Sequence, residues 1–383
     1  MTTPKKILVF IDWFLPGYKA GGPIRSLANL TAHLSGEFEF FIVTRNKDYL
    51  ESVGYEDVVP NEWLGFAKNI NVYYFSQDQL SIKNIKKIIS TQDYDVAYIN
   101  GVYSFYFSIL PVYLLKKSTK KIVVATRGML LKHSFSSKKI KKKIFIYLTN
   151  LIGLFRNVFF HVTNEQEKKE VSELINKQKG FLIAPNLSAK ITNKQIAPIL
   201  KSPGKLKLVN IARISVEKNT LFALQVLAAS DYTGIIEFDL YGAIYSNKYW
   251  EECLETINSL PDNINVCYKG MIDNKKVPET LLKYHFSFLP SLGENFGHSI
   301  LESFLAGCPV IISDQTPWKN LEEKKIGWDI PIDPKDDFVK TIQYCIDMEQ
   351  AEYGQLSKNA FKYAKAFADN KKLIGQSRDL FKI

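Results

Sequence analysis

The chain is poor in cysteine: its four, Cys253, Cys267, Cys308 and Cys345, all lie in the second half, and none is spaced as CxxC. A disulfide framework and a structural zinc site are therefore not indicated, and a reducing cytoplasm fits best. Long apolar runs are also lacking. The N-terminus MTTPKKILVFID is basic, then apolar for only about seven residues before Asp12, with no small-residue cleavage site, so it reads as a first β-strand rather than a secretory signal. The longest apolar stretch, Val102 to Leu115, falls short of the roughly 20 residues that a membrane span needs and contains Pro111. No transmembrane helix is expected. The fingerprint GxGxxG is absent, which disfavours a nicotinamide-dependent enzyme. Acidic residues are missing altogether from 101–150, which hold eleven Lys and Arg.

That last absence organises the charge of the chain. The formal net charge is +11; residues 1–190 carry 27 basic and 15 acidic side chains, and residues 191–383 carry 23 and 24. All the excess is N-terminal, which points to an anionic partner of the first half: nucleic acid, an anionic membrane face or a phosphorylated substrate. With 383 residues, 46% hydrophobic and 23% charged, the chain suits two α/β domains of roughly 150 to 200 residues meeting at a central cleft.

Short apolar runs recur with helical segments between them: KILVFID (6–12), FEFFIVT (38–44), NVYYF (71–75), VAYIN (96–100), KIVVAT (121–126) and FFHVT (159–163), then KLVNIA (207–212), IEFDLYG (236–242), INVCYKG (264–270), FSFLP (286–290) and PVIIS (309–313). Such alternation predicts two doubly wound, Rossmann-like domains, each a parallel sheet covered by helices on both faces. The polar, proline-bearing stretch 185–205 marks the linker, which divides the chain into 1–190 and 191–383. The last segment, from about Gln355 to Phe381, is helical in pattern and could return to the first domain.

The most informative segment is FLPSLGENFGHSILESFLAGCPVIIS (288–313), read as strand, glycine-bearing loop, helix and strand. Ligands bind at the carboxyl ends of strands in open α/β sheets. Glu294 would sit in that loop and Glu302, eight residues on, two turns inside the helix. Between them Gly297 permits close backbone approach, and the amides around His298 and Ser299 open the helix, so a phosphate would meet both free N–H groups and the helix dipole. One carboxylate can then reach hydroxyls on one side of the phosphate and the other those on the opposite side, the shape of a sugar–diphosphate–ribose ligand. In NIARISVEKN (210–219), Arg213 follows a strand and Lys218 lies near the next helix start. Two such cations can neutralise a diphosphate leaving group without a metal. In the first half, Gly21-Gly22-Pro23 stands just ahead of a helix, a second phosphate-facing helix start. Asp93-Tyr94-Asp95 spells a DxD, but it precedes VAYIN and so lies at the wrong end of its strand for metal-dependent sugar transfer.

With these residues in place, the chain resembles, nearly end to end, family 4 of the retaining glycosyltransferases, which adopt the GT-B fold. The resemblance rests on GGPIRS (21–26), IARISVEKN, YKGMI (268–272) and above all ENFGHSILE (294–302), which matches the family's E-x7-E motif. It implies that Glu294 holds hydroxyls of the transferred sugar, Glu302 the ribose, Arg213 and Lys218 the diphosphate, and the amides from Phe296 to Ser299 the sugar and phosphate. Gly22 would contribute from the first domain, and residues after Gly270 would lie near the base. It further implies no metal, no cofactor besides the nucleotide sugar as co-substrate, and no carboxylate nucleophile. One departure stands out: many members carry a histidine where this chain has Arg127 in ATRGML (125–130). Arg127, Lys132 and the nearby His133 are candidates for engaging the acceptor.

The segment 131–155 joins a lysine cluster to an aromatic and aliphatic run, a pattern that suits a membrane interface with lysines on anionic headgroups. An acceptor such as a polyprenyl-diphosphate-linked sugar or an oligosaccharide, used at the cytoplasmic face in assembly of a lipopolysaccharide or capsule, is the reading favoured. The alternatives are a GT-B epimerase or hydrolase of nucleotide sugars and, from another class, a nucleic-acid-binding protein using 116–143. The basic region shows none of the recognised nucleic-acid reader motifs, so no nucleic acid is expected.

Overall fold

The computed structural model describes residues 4–131, 139–190 and 199–382. They form two compact units, one comprising 4–190 with 370–382 and the other 199–369.

The first unit is built on eight strands: β1 (Lys5–Phe10), β2 (Phe38–Arg45), β3 (Trp63–Ala67), β4 (Ile70–Phe75), β5 (Val96–Asn100), β6 (Lys121–Ala125), β7 (Val158–Val162) and β8 (Gly180–Ile183), in the order β3-β4-β2-β1-β5-β6-β7-β8. All neighbours are parallel except β3, which runs antiparallel to β4. The central strands are buried along almost their whole length, because helices cover both faces and leave no side for polar residues. The second unit has six parallel strands, β9 (Lys205–Ile211), β10 (Ile235–Tyr241), β11 (Ile264–Tyr268), β12 (Phe286–Leu289), β13 (Val310–Ser313) and β14 (Gly327–Ile330), ordered β11-β10-β9-β12-β13-β14.

Three strands have no counterpart among the apolar runs read from the sequence. β3 (WLGFA), β8 (GFLI) and β14 (GWDI) each form the outer edge of a sheet. An edge strand has one neighbour and less burial to satisfy, so its sequence need not be continuously apolar. The expected linker is also shorter than 185–205. Its centre, 191–198, lies outside the described residues, but its flanks are packed. Asn186, Leu187 and Ser188 are buried, and so is Lys201, whose ammonium donates to the carbonyls of Ile346 (2.9 Å) and Met348 (3.1 Å). These carbonyls close the helix Asp336–Asp347, where the dipole favours a cation.

The apolar run at Val102–Leu115 is a core element. It forms a π-helical turn, Phe105–Ile109, continuing into the helix Leu110–Leu115, which contains Pro111. Among the described residues, no helix is long and apolar enough to cross a membrane.

The chain ends in the first unit. After the helix Gln350–Ala368, a second helix, Lys371–Asp379, contacts Gly22–Leu34, and Arg378 forms an ion pair with Glu37 at 2.5 Å. Phe381, fully buried, meets the rings of Phe38, Phe40 and Tyr98 at centroid distances of 5.3, 5.8 and 5.5 Å. Edge-to-face packing of this kind adds to the burial of apolar area. We expect Phe381→Ala to lower the stability of this unit by about 3–5 kcal/mol. Urea unfolding followed by tryptophan fluorescence checks it.

Candidate functional site

Of the predicted donor residues of the second unit, Lys218 and Glu294 meet at the carboxyl edge of its sheet. β9 ends at Ile211, and the exposed Arg213 follows, its guanidinium 5.0 Å over the ring of Tyr245. The backbone then turns through a short 3-10 helix, Val216–Lys218, in which the Ser215 hydroxyl accepts the Lys218 N–H. Asn219 takes the left-handed conformation (φ 57°), and the helix Thr220–Leu227 begins. This turn aims the Lys218 ammonium at the Glu294 carboxylate, with which it forms an ion pair.

Glu294 is held from three sides. Its N–H donates to the carbonyl of Gln315 (3.2 Å), just beyond β13; the neighbouring Leu292 N–H donates to Glu217 (2.9 Å); and the Ser291 hydroxyl donates to Oε1 (2.9 Å). Lys218 and Ser291 both use Oε1, so Oε2 has no hydrogen bond from the described residues. With side-chain exposures of 17% for Lys218 and 8% for Glu294, the pair is nearly desolvated, and either charge left alone there would be costly.

The helix His298–Leu305 opens beside this pair. Gly297 caps it in the left-handed conformation (φ 77°, ψ 63°), and no side chain occupies the cap. A Cβ there would stand 2.8 Å from Ile300 Cδ1 and 3.2 Å from Trp318 Nε1, so both conformation and space require glycine. Trp318 Nε1 donates to the Phe296 carbonyl at 2.6 Å, and the Phe296 ring is buried against Trp318 and His298. The side chain of Phe296 is thus part of the core. The helix start at His298 and Ser299, with no side-chain cap from Gly297, carries the positive end of the helix dipole. Because the helix begins at His298, Glu302 lies one turn inside it rather than two, on the same face as His298.

Three residues of this arrangement escaped sequence reasoning. Ser291 could have been found by its position three residues before Glu294 in the same loop. Tyr245 and Trp318 lie in segments remote from the motifs, and no local signal marks them.

In the first unit, Gly21 caps the helix Gly22–Leu34 with φ 73° and ψ −129°, and Pro23 occupies its first turn, again without a side-chain cap. Asp93 pairs with Lys6 at 3.0 Å, at the amino end of β5. Arg127, two residues beyond β6, sits in a hydrogen-bonded group at the carboxyl ends of β5, β6 and β7. Its Nε donates to Asn100 Oδ1 (2.6 Å), Nη1 to Asn186 Oδ1 (2.6 Å) and Nη2 to the Tyr98 hydroxyl (2.8 Å). His161 lies behind Tyr98. Its Nε2 is 2.8 Å from the Ala184 carbonyl, which can only accept, so Nε2 carries the proton, and Nδ1 accepts from the Tyr98 hydroxyl at 2.8 Å. Burial first, then the Arg127 charge, push its pKa down to about 3. Lys132 and His133 lie outside the described residues.

Two open, helix-covered, largely parallel sheets are the Rossmann-like pair of the GT-B class, and solved structures agree over nearly the whole chain. Anabaena Alr3699/HepE in complex with UDP and glucose superposes with a TM-score of 0.71 at 15% identity, covering 98% of each chain. Sucrose-phosphate synthase from Thermosynechococcus elongatus gives 0.68 at 14% identity, also covering 98% of each. WaaG, a glycosyltransferase involved in lipopolysaccharide biosynthesis, gives 0.60 at 11%, covering 98% of this chain and 97% of that one. In sequence, residues 192–365 match the family Glycosyl transferases group 1, so the C-terminal half of the chain carries a glycosyl transferases group 1 domain. An uncharacterized 41.2 kDa protein in the cps region of Klebsiella pneumoniae is 22% identical over 241 residues, 60% of this chain and 63% of that protein. The match therefore spans less than two thirds of that relative's length.

Two outcomes follow from the geometry. Gly297→Ala forces a side chain into the left-handed region, at about 1–2 kcal/mol, and urea denaturation of the variant should show at least this loss. The low pKa of His161 means that between about 3 and its ordinary value of 6.5 the unfolded chain binds more protons than the folded one. Its contribution to stability is complete above pH 6.5 and declines as pH falls towards 3. Unfolding midpoints at pH 7, 5 and 4 should accordingly fall more steeply for the native chain than for His161→Gln.

Proposed function

We propose that this chain is a retaining, metal-independent glycosyltransferase of family 4 that moves a sugar from a nucleoside-diphosphate donor to a lipid-linked or oligosaccharide acceptor in surface-polysaccharide assembly. The observation that carries this reading is the cluster of Glu294, Lys218 and Ser291 beside the glycine-capped start of His298–Leu305, with Arg213 exposed at the next strand end. Glu294 Oε2 accepts a hydroxyl of the transferred sugar, and Glu302 accepts from the ribose. The amides of His298 and Ser299 and the side chains of Arg213 and Lys218 hold the diphosphate.

In the reaction the bond between the anomeric carbon and the diphosphate oxygen breaks, and the acceptor oxygen bonds to the same face of the sugar. The acceptor proton passes to the departing diphosphate. Negative charge grows on that diphosphate, which in this reading Arg213, Lys218 and the helix dipole hold, so the transition state is stabilised more than the bound donor. This arrangement asks for no metal. The UDP in the Alr3699/HepE structure favours a uridine donor, and the cps-region relative favours a capsular or related polysaccharide.

Membrane contact is part of this reading. The helix Lys139–Leu151 has two apolar sides. Phe145 and Ile146 pack on the core of the first unit, while Ile140 (74% exposed), Ile144, Tyr147 (68%), Leu148 and Leu151 (69%) recur at helical spacing on the solvent side, with Lys141 and Lys143 among them. A stripe of this kind buries its apolar groups below anionic headgroups that its lysines attract. It would hold the chain at the cytoplasmic face, close to a lipid-linked acceptor.

Titration calorimetry with UDP in the presence of EDTA tests the donor site. Native protein should bind, and Arg213→Ala and Lys218→Ala should each weaken binding by about 10- to 100-fold; binding that needs a divalent metal, or survives both changes, overturns the assignment. Sedimentation with phosphatidylglycerol vesicles tests the membrane contact. The native chain should pellet with them, and Ile144→Glu/Leu148→Glu should remain in solution.

A further inference from the structure

In the donor cluster Lys218 and Glu294 compensate each other, whereas Arg127 in the first unit has no such partner among the described residues. Each of its three hydrogen bonds goes to a neutral acceptor, and it forms no ion pair with any described residue. The carboxylate built into the same sheet edge, Glu167, is already committed: it accepts from Thr126 Oγ1 (2.5 Å), the Gly128 N–H (2.9 Å), the Thr163 N–H (2.7 Å) and Thr163 Oγ1 (2.8 Å). His161, behind Tyr98, is held neutral. Among the described residues, Arg127 is the partly exposed member of an otherwise buried group.

Two further observations belong to the same place. Arg127 adopts φ 51°, a left-handed conformation that a residue with a Cβ takes only against a penalty, and such strain concentrates at ligand sites. Asn100, the last residue of β5 and 4% exposed, spends its Oδ1 on Arg127 Nε, while its buried Nδ2 has no partner among the described residues. An orphaned buried donor is costly unless something accepts from it. Of the five N–H groups of a guanidinium, the three bonds leave one each on Nη1 and Nη2. Among the described residues, donors without acceptors and a guanidinium without an ion-pair partner thus coincide at the carboxyl ends of neighbouring parallel strands, the edge at which α/β sheets bind ligands.

We propose that Arg127 and Asn100 Nδ2 form a binding site for an oxyanion, a carboxylate or phosphoryl group carried by a sugar substrate, and that this chain therefore selects an acidic saccharide. Guanidinium suits both groups because its planar fork matches two oxygens at once. The inference rests on the glycosyltransferase reading above, but its failure is separable from that reading because UDP binding is scored independently.

The test uses the full chain, with D-glucuronate and inorganic phosphate as free anionic probes, glucose as the neutral control, and UDP-glucuronate against UDP-glucose as donor-borne probes. Calorimetry should show an anion binding to the native protein and glucose not. Arg127→Gln should weaken that binding by about 10- to 100-fold, Arg127→Lys should retain part of it, and UDP affinity should be unchanged in both. Asn100→Asp supplies the missing counter-charge while keeping the bond to Nε, and should abolish anion binding with thermal stability equal or higher; it keeps the test decisive if Arg127→Gln folds poorly. A preference for UDP-glucuronate over UDP-glucose that Arg127→Gln removes places the anion on the donor. Binding of glucuronate or phosphate alongside saturating UDP-glucose, without such a preference, places it on the acceptor. If no anion binds, or if anion binding is the same in Arg127→Gln and Asn100→Asp as in the native chain, the proposal is overturned and Arg127 is a structural strut.

Discussion

In a parallel sheet every strand ends at the same edge, because each crossover helix returns the chain to the end from which the previous strand began. Both units are built under this constraint, and much of what is chemically distinctive in each follows from it. The sheet interior is mostly apolar, since helices cover both faces, so most charged residues are displaced to the strand ends. At the carboxyl edge they meet helix starts, whose dipoles favour anions.

The two units handle charge at that edge differently. In the second unit, Lys218 and Glu294 neutralise each other, and Ser291 and the backbone of Gln315 fix the carboxylate, so the cluster is stable without a ligand yet keeps Oε2 available. In the first unit, the guanidinium of Arg127 is positioned entirely by neutral groups, which fixes its geometry and leaves its charge unanswered. Tyr98 transmits this to His161 by donating to one group and accepting from the other, a chain of hydrogen bonds that holds only while the imidazole is neutral.

Much of the architecture could be read from the order of residues. Central strands such as VAYIN and KIVVA are apolar at all but one end because both faces are buried, and they stand out against their surroundings. Edge strands such as GWDI do not, since half their surroundings are solvent or loop. Glu294, Glu302, Arg213 and Lys218 could be singled out because strand, loop, glycine and helix follow one another in a short stretch. Ser291 was within reach of the same reasoning, whereas Trp318, which clamps the loop through the Phe296 carbonyl, was not, because its contact spans 22 residues of sequence.

The sequence by itself determined the doubly wound class, the position of most strands, the need for glycine at 297 and the charge asymmetry between the halves, because each depends on local periodicity, local conformation or composition. Only the tertiary structure decided which charges are paired. Lys218 meets Glu294 across 76 positions, and Arg127 meets Asn100 and Asn186 across 27 and 59. A charge acquires its chemical meaning from the partners that folding brings within about 3 Å, and no local pattern in the sequence records them.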